Sequence, residues 1–267
     1  MNDDIFIPQS PHLKNSVRFI WQVSGLTPFL NETILPKGVI EIIFNFSEHL
    51  INAQIGSQQF QLTKCFINGY NTCPIQLQLP RRHVFFGVQF HPAAVRHFFG
   101  MPACEFTNIA IDLTLLAPAF NSLWHQLGEK KTFNERVAII IQWAKTKIIE
   151  MPPQEQLLNY FLENNRLHDE HVTDLAKKLC YSTRQLSRKI FDLTKMNTEK
   201  ILLYKKYLHS VRLIHHTNLS LTSIAYRSNF ADQSHFIKSF KSFAEITPGE
   251  YRRNKSIVQG HIFKNVR

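Results

Sequence analysis

Two short stretches of this sequence gather side chains able to recognise the edges of nucleic-acid bases. The first is Ser182 to Arg188 ("STRQLSR"); the second is Asp232 to Lys241 ("DQSHFIKSFK"). Arginine can hold guanine with a two-pronged hydrogen bond and glutamine can do the same for adenine, while serine, histidine and lysine reach base edges or phosphates. If each stretch is a helix with Leu186 and Ile190, or Phe236 and Phe240, turned inward, the outward residues follow from the helical period. They are Thr183, Arg184, Gln185, Ser187 and Arg188 in the first, and Gln233, Ser234, His235, Lys238 and Lys241 in the second. Ser182 and Asp232 fall at the N-cap, where a side-chain oxygen accepts from the first free amides.

These helices must be held by something, and the surrounding sequence repeats to supply it. The last third is self-similar with an offset of roughly 50 residues: Ser182 recurs as Asp232, Leu186 as Phe236 and Ile190 as Phe240. Each copy has a short amphipathic helix ("VTDLAKKL" or "LTSIAYRS"), a tight turn and then the capped helix, which is a helix-turn-helix layout. Val172, Leu175, Ala176 and Leu179 keep one helical stripe, as do Ile201, Tyr204, Leu208, Val211 and Ile214 between the copies. One such hairpin alone is as well read as a solvated charged face. Two copies joined by a helix, in the basic part of the chain, favour base reading.

The charge is unevenly spread. From Glu155 onward there are 19 Lys and Arg against 10 Asp and Glu; before it there are 12 against 10. That asymmetry implies a polyanionic partner for the C-terminal third. The polar faces of its helices carry Gln, Ser, His and Asp rather than uniform positive charge, which argues against docking on an anionic membrane.

The earlier part reads as β-rich. Val39 to Phe46 ("VIEIIFNF") and His83 to His91 ("HVFFGVQFH") are full of β-branched and aromatic residues, and "NAQIGSQQFQL" and "INGYNTCPIQLQL" read as short strands with Gly and Asn turns. Helices follow: Pro92 opens "PAAVRHFFG", "NSLWHQLG" is amphipathic, and Thr132 with Glu135 forms a capping box for "FNERVAIIIQWAKTKI". Pro152 and Pro153 break the pattern. The expected architecture is therefore an α+β N-terminal domain over residues 1–150, β-rich with helices at its end. An all-α domain of two helix-turn-helix units and a linker helix spans 155–254, and a basic tail spans 255–267.

The segment Ser220 to Arg253 resembles the second helix-turn-helix of the AraC/XylS family of bacterial transcription regulators. The resemblance is carried by Ile224-Ala225, Phe230, "DQSHF", Phe240-Lys241, Thr247-Pro248 and Tyr251-Arg252. Upstream, "DLAKKLCYSTRQLSRKI" resembles the family's first unit, and Thr198 to His215 its rigid linker helix. Where the family usually has Gly in its turns, this chain has Cys180, Asn229, Lys195 and Glu245. The resemblance implies base contacts from Arg184, Ser187 and Arg188, and from Ser234, His235 and Lys238, on double-stranded DNA. "ILPKGVIEIIFNF", "INGYNTCPIQLQL" and "FFGVQFHPAAVRHFFGMPACEFTN" resemble a β-rich sensor domain attached to some such regulators. That implies a small-molecule effector and a second copy of the chain as candidate partners, with RNA polymerase a third.

Other chemistries lack their residues. Cys65, Cys73, Cys104 and Cys180 show no C-x-x-C pair, and the first three are too few and wrongly spaced for the four-cysteine zinc site of a DNA-alkylation repair domain, so they read as reduced thiols. Neither His83, His91 and His97 nor the pair His168 and His171 has a recurring ligand spacing, so no metal or cofactor is expected. Among nine glycines there is no phosphate loop or nucleophile elbow, so catalysis is not expected. The acidic start and the absence of an ~18-residue apolar run point to a cytoplasmic protein.

Overall fold

The structure, a computed structural model, describes residues 2–148, 150–164 and 172–266. His168 and His171 lie outside the described residues. The N-terminal region contains β1 (Asn2–Phe6), β2 (Val17–Leu26), β3 (Phe29–Ile34), β4 (Ile40–Asn45), β5 (Asn52–Ile55), β6 (Gln58–Gln61), β7 (Cys65–Asn68), β8 (Ile75–Gln78), β9 (Arg82–Phe90) and β10 (Ala110–Asp112). With them are the helices α1 (Pro11–Lys14), α2 (Val95–Phe99), α3 (Leu113–Leu116), α4 (Ala119–Gly128) and α5 (Phe133–Lys145). After α6 (Pro153–Glu163) the chain is helical: α7 (Val172–Lys178), α8 (Thr183–Thr194), α9 (Thr198–His216), α10 (Leu221–Arg227), α11 (Gln233–Ala244) and α12 (Pro248–Asn254). A final strand, β11 (His261–Val266), follows.

Two antiparallel sheets face each other. One has the order β1-β2-β9-β4-β7-β10 and the other β11-β3-β8-β5-β6. Strand β4 explains why the first sheet is buried on both faces. Its alternate residues Ile40, Ile42 and Phe44 join the large core under the helices, while Glu41 and Ile43 face the second sheet. The large core runs without a break from that sheet through α4 and α5 into both C-terminal repeats. The capping box of α5 is formed: Thr132 Oγ1 accepts from Glu135 N, and Glu135 accepts from Thr132 N at 2.9 Å.

Two expectations about boundaries are corrected. The segment after residue 254, read as a basic tail, returns as β11 and pairs antiparallel with β3, His261 opposite Ile34 and Phe263 opposite Glu32. Phe263 stacks on Phe29 at 5.1 Å, and His261 Nδ1 bonds the Glu32 carboxylate. An amphipathic strand with an aromatic finds a free sheet edge a better partner than water. Helix α6, placed with the C-terminal domain, is also tied to the N-terminal one. Asn159 Oδ1 accepts from Ala93 N at 2.9 Å, and Glu163 engages His91 at 2.6 Å and Arg18 at 3.4 Å.

The C-terminal end of α6 rests on Lys205 of α9. Its ammonium is fully buried and donates to the carbonyls of Phe161, Leu162 and Asn164, over the Phe161 ring at 4.5 Å. Burial lowers its pKa from 10.5 to about 7, against an opposing pull from Glu163. Above about pH 7 the unfolded chain therefore holds a proton that the folded protein has released, so stability should rise with pH from 7 to 8.5, by at most ~1.4 kcal/mol per pH unit. Denaturant titrations across that window should show the rise in the natural chain and its loss in Lys205→Met; equal slopes would mean that Lys205 keeps an ordinary pKa.

Candidate nucleic-acid interface

The two repeats fold alike in their buried seats, their caps and their turns. Leu186 and Phe236 are completely buried, as are Ile190 and Phe240, and they seat α8 and α11 against α9 and the helices before them. Ser182 caps α8 by accepting from Gln185 N at 3.2 Å; Asp232 caps α11 by accepting from His235 N at 2.7 Å. The turns match too. Tyr181 N bonds Ala176 O at 2.9 Å in the first, and Phe230 N bonds Ala225 O at 3.0 Å in the second, each closing the helix around a left-handed residue.

Those left-handed residues are Cys180 (φ 56°) and Asn229 (φ 54°). Lys195 (φ 58°) and Glu245 (φ 60°) end the two recognition helices in the same way. All four positions thus adopt the backbone that glycine favours, without glycine. In its turn and in the end of its recognition helix the first unit matches the second.

The twelve residues expected at the interface divide by what else they do. Ser182 and Asp232 are caps, Gln185 returns its side chain to Ser182 N at 2.9 Å, and Gln233 accepts from Thr222 of α10 at 2.8 Å. These four build the turns. The other eight, Thr183, Arg184, Ser187 and Arg188 with Ser234, His235, Lys238 and Lys241, have no side-chain hydrogen bond or ion pair among the described residues. Ser187 is half-buried and the rest are exposed. His235 packs edge-on against Phe230 at 5.5 Å, which fixes its ring.

Sequence reasoning missed Phe191, 48% exposed on the same helix. It lines a shallow hollow with Thr183, Arg184, Ser187, Arg188 and Asn197. The signal was its spacing, seven residues past Arg184 and three past Arg188. Lys206 was also missed: from α9 its Nζ donates to Asn229 O at 2.7 Å and braces the second turn.

A family model described as "Helix-turn-helix domain" matches residues 175–254. The C-terminal third is a helix-turn-helix domain. A second model, described as "Domain of unknown function (DUF6597)", matches residues 6–112. The HTH-type transcriptional activator RhaS of Citrobacter koseri is 28% identical over 103 residues, 39% of this chain and 37% of that protein. RhaS of Escherichia coli is 26% identical over 99 residues, 37% and 36% of the two chains. The chain thus spans little over a third of the curated relatives it matches. Among solved structures, ToxT from Vibrio cholerae is similar over 88% of this chain and 96% of its own, at TM-score 0.49 and 10% identity. The DNA-binding domain of AdpA, solved with a target DNA, is similar over 39% and 92%, at TM-score 0.34 and 24% identity.

A cavity of about 520 Å³ lies between the two sheets. Trp21 lies over Gly87 of β9, where a Cβ would meet the indole at 2.1 Å, so the glycine makes room for the ring that walls the cavity. Leu208 and Val211 of α9, and residues 258–261 with Phe263, complete the wall, so part of it belongs to the C-terminal region. The histidines weighed as metal ligands do not converge: His83 and His91 stand at opposite ends of β9, and His97 lies 3.9 Å from Glu155. Among the described residues no group of three His, Cys, Asp or Glu could hold a metal ion, and no helix is long and apolar enough to cross a membrane.

A left-handed backbone costs an L-residue with a Cβ roughly 1–2 kcal/mol, partly offset by the entropy glycine loses on folding. Cys180→Gly and Lys195→Gly should each stabilise the chain by about 0.5–1 kcal/mol, and Asn229→Gly by less. Thermal melts read this directly; destabilisation by either of the first two would show that the turns are not left-handed.

Proposed function

We propose that the chain is a sequence-specific regulator of transcription that binds double-stranded DNA through α8 and α11. The observation that carries this reading is the pair of matched, capped helices on which eight outward polar side chains have no hydrogen bond or ion pair among the described residues. The N-termini of such helices enter the major groove, and an arginine there discriminates guanine from its rivals. Arg184, Ser187 and Arg188, with Ser234, His235 and Lys238, are the proposed base readers; Thr183, Lys241 and Phe191 flank them. Because α9 fixes the two units in one rigid piece, the site on DNA would be asymmetric, with two short elements about one helical turn, ~10 bp, apart.

The matched relatives are named activators. On that account the reading is activation, with RNA polymerase as the protein contacted, in the cytoplasm and without a catalytic step. Residues 1–150, with α6 and β11 attached, would serve as a regulatory module. The cavity is the proposed effector site, and a second copy of the chain a further partner. A bound effector can alter DNA affinity only by its differential affinity for the binding-competent arrangement.

Selection from a random DNA pool with the full chain should yield one asymmetric site, whose binding weakens steeply as salt rises. On that site Arg188→Ala and Lys238→Ala should each cost ~1–3 kcal/mol, with Arg188→Ala the more selective because of its two-pronged contact. Equal losses on selected and random DNA would reduce either residue to a phosphate contact. Inserting five base pairs between the two elements should abolish high-affinity binding; retention of full affinity would overturn the rigid geometry.

A further inference from the structure

Among the charged residues that line the cavity between the sheets, Lys37 and Glu41 stand out for bonding capacity left unused. Lys37 lies between β3 and β4 and lines the cavity, where neighbouring protein desolvates its ammonium although the side chain keeps accessible surface. It makes no hydrogen bond or ion pair among the described residues. Enclosure pulls its pKa below the ordinary lysine value, and Glu41 and Glu32 pull the other way, which places both carboxylates in its neighbourhood. Glu32 is committed to His261. Glu41 is not: its Oε2 accepts from the Trp21 indole at 3.1 Å, and its Oε1 has no hydrogen-bond donor among the described residues.

The neighbours of Glu41 across the first sheet are Asn68 on β7 and Gln89 on β9. All three are buried and line the cavity. The carboxamide of Gln89 also has no hydrogen-bond partner among the described residues. Buried polar groups are nearly always paired, and a buried charge costs more than a buried amide when it is not. Here bonding capacity of both signs opens on one hollow, whose wall also presents the apolar side chains of Ile55, Phe60 and Leu77.

A ligand with only an acid group would pair with Lys37, leave Glu41 as it is and add a net negative charge to an enclosed space. A ligand with only an amine would do the converse. A molecule carrying both groups satisfies both residues and leaves the charge of the cavity unchanged. We infer that the cavity is a site for an amino acid with an apolar side chain, its carboxylate on Lys37, its ammonium on Glu41 and Gln89, and its side chain against the second sheet. This names the ligand class for the effector site proposed above and rests on that reading for its regulatory meaning only.

The test is calorimetric titration of the full chain, without DNA, with leucine, methionine, phenylalanine and tryptophan. The tightest binder is then compared with its N-acetyl form, which keeps the acid alone, and its amide, which keeps the amine alone. The parent should bind at least tenfold more tightly than either. Lys37→Met should erase the advantage over the amide, and Glu41→Gln the advantage over the N-acetyl form. If a variant does not fold, the three-way comparison on the natural chain decides by itself. Absence of binding by all four amino acids overturns the assignment, as does an N-acetyl form or amide that binds as tightly as the parent. DNA retardation by the same preparation separates the two readings: DNA binding without amino-acid binding overturns the ligand assignment alone, and amino-acid binding without DNA binding overturns the regulator.

Discussion

The ring of Tyr204, midway along α9, touches three parts of the molecule at once. It packs at 5.6 Å on Tyr70 of the N-terminal region and edge-on at 5.0 Å on Phe243 at the back of the second recognition helix. Its hydroxyl donates to Asn71 O at 2.8 Å. Beside it, Tyr207 packs on Phe240 and Phe243, each at 5.2 Å. Both tyrosines are completely buried. A buried phenol must find an acceptor. The acceptor for Tyr204 is a main-chain carbonyl of the other domain, so the docking is specified by direction as well as by apolar area. The seat of α11 relative to the sheets follows from these two rings.

The first recognition helix is held by a different route. Lys189 of α8 meets Glu155 of α6 at 3.4 Å, and α8 packs on the 3₁₀ turn Ala103–Phe106. The helix-turn-helix domain is therefore gripped at both units and again at β11. The cavity shares its wall with two of those grips, through Leu208 and Val211 of α9 and through Phe263. A change in what fills it bears on the domain by contact, without passing through the segment that joins the two regions in sequence.

What the sequence disclosed was whatever is decided locally. Caps need a Ser, Thr or Asp three residues ahead of the amide they accept from, so Ser182, Asp232 and Thr132 announced their helices. The buried stripe of α9 follows a single helical period, so Ile201, Tyr204, Leu208 and Val211 were legible as core. The outward placement of the eight polar side chains on α8 and α11 was legible for the same reason, because the inward face of a capped helix fixes its outward one. Phe191 was passed over because an aromatic residue on a helix reads as core unless its neighbours are located. Pairing across long distances left no local mark. "HIFKNV" reads as a basic tail until β3 is seen to lack a neighbour, and Lys37 is one lysine among many until two sheets close around it. The turns at Cys180 and Lys195 hid in the opposite way: their residue types argue against a backbone that the packing on either side imposes.

Strand β11 also sets a timetable for the chain's birth. The edge that β3 presents is completed by a partner some 229 residues downstream. At about 5–20 residues per second, a ribosome takes on the order of ten to fifty seconds to supply it. Throughout that interval β3 is an open edge, the kind of template that recruits strands from neighbouring nascent chains. Glu32 sits in its middle, and a carboxylate is costly to bury under an apolar strand that tries to pair there. His261 arrives last and converts the same carboxylate into a latch. One residue thus guards the edge during synthesis and closes it afterward.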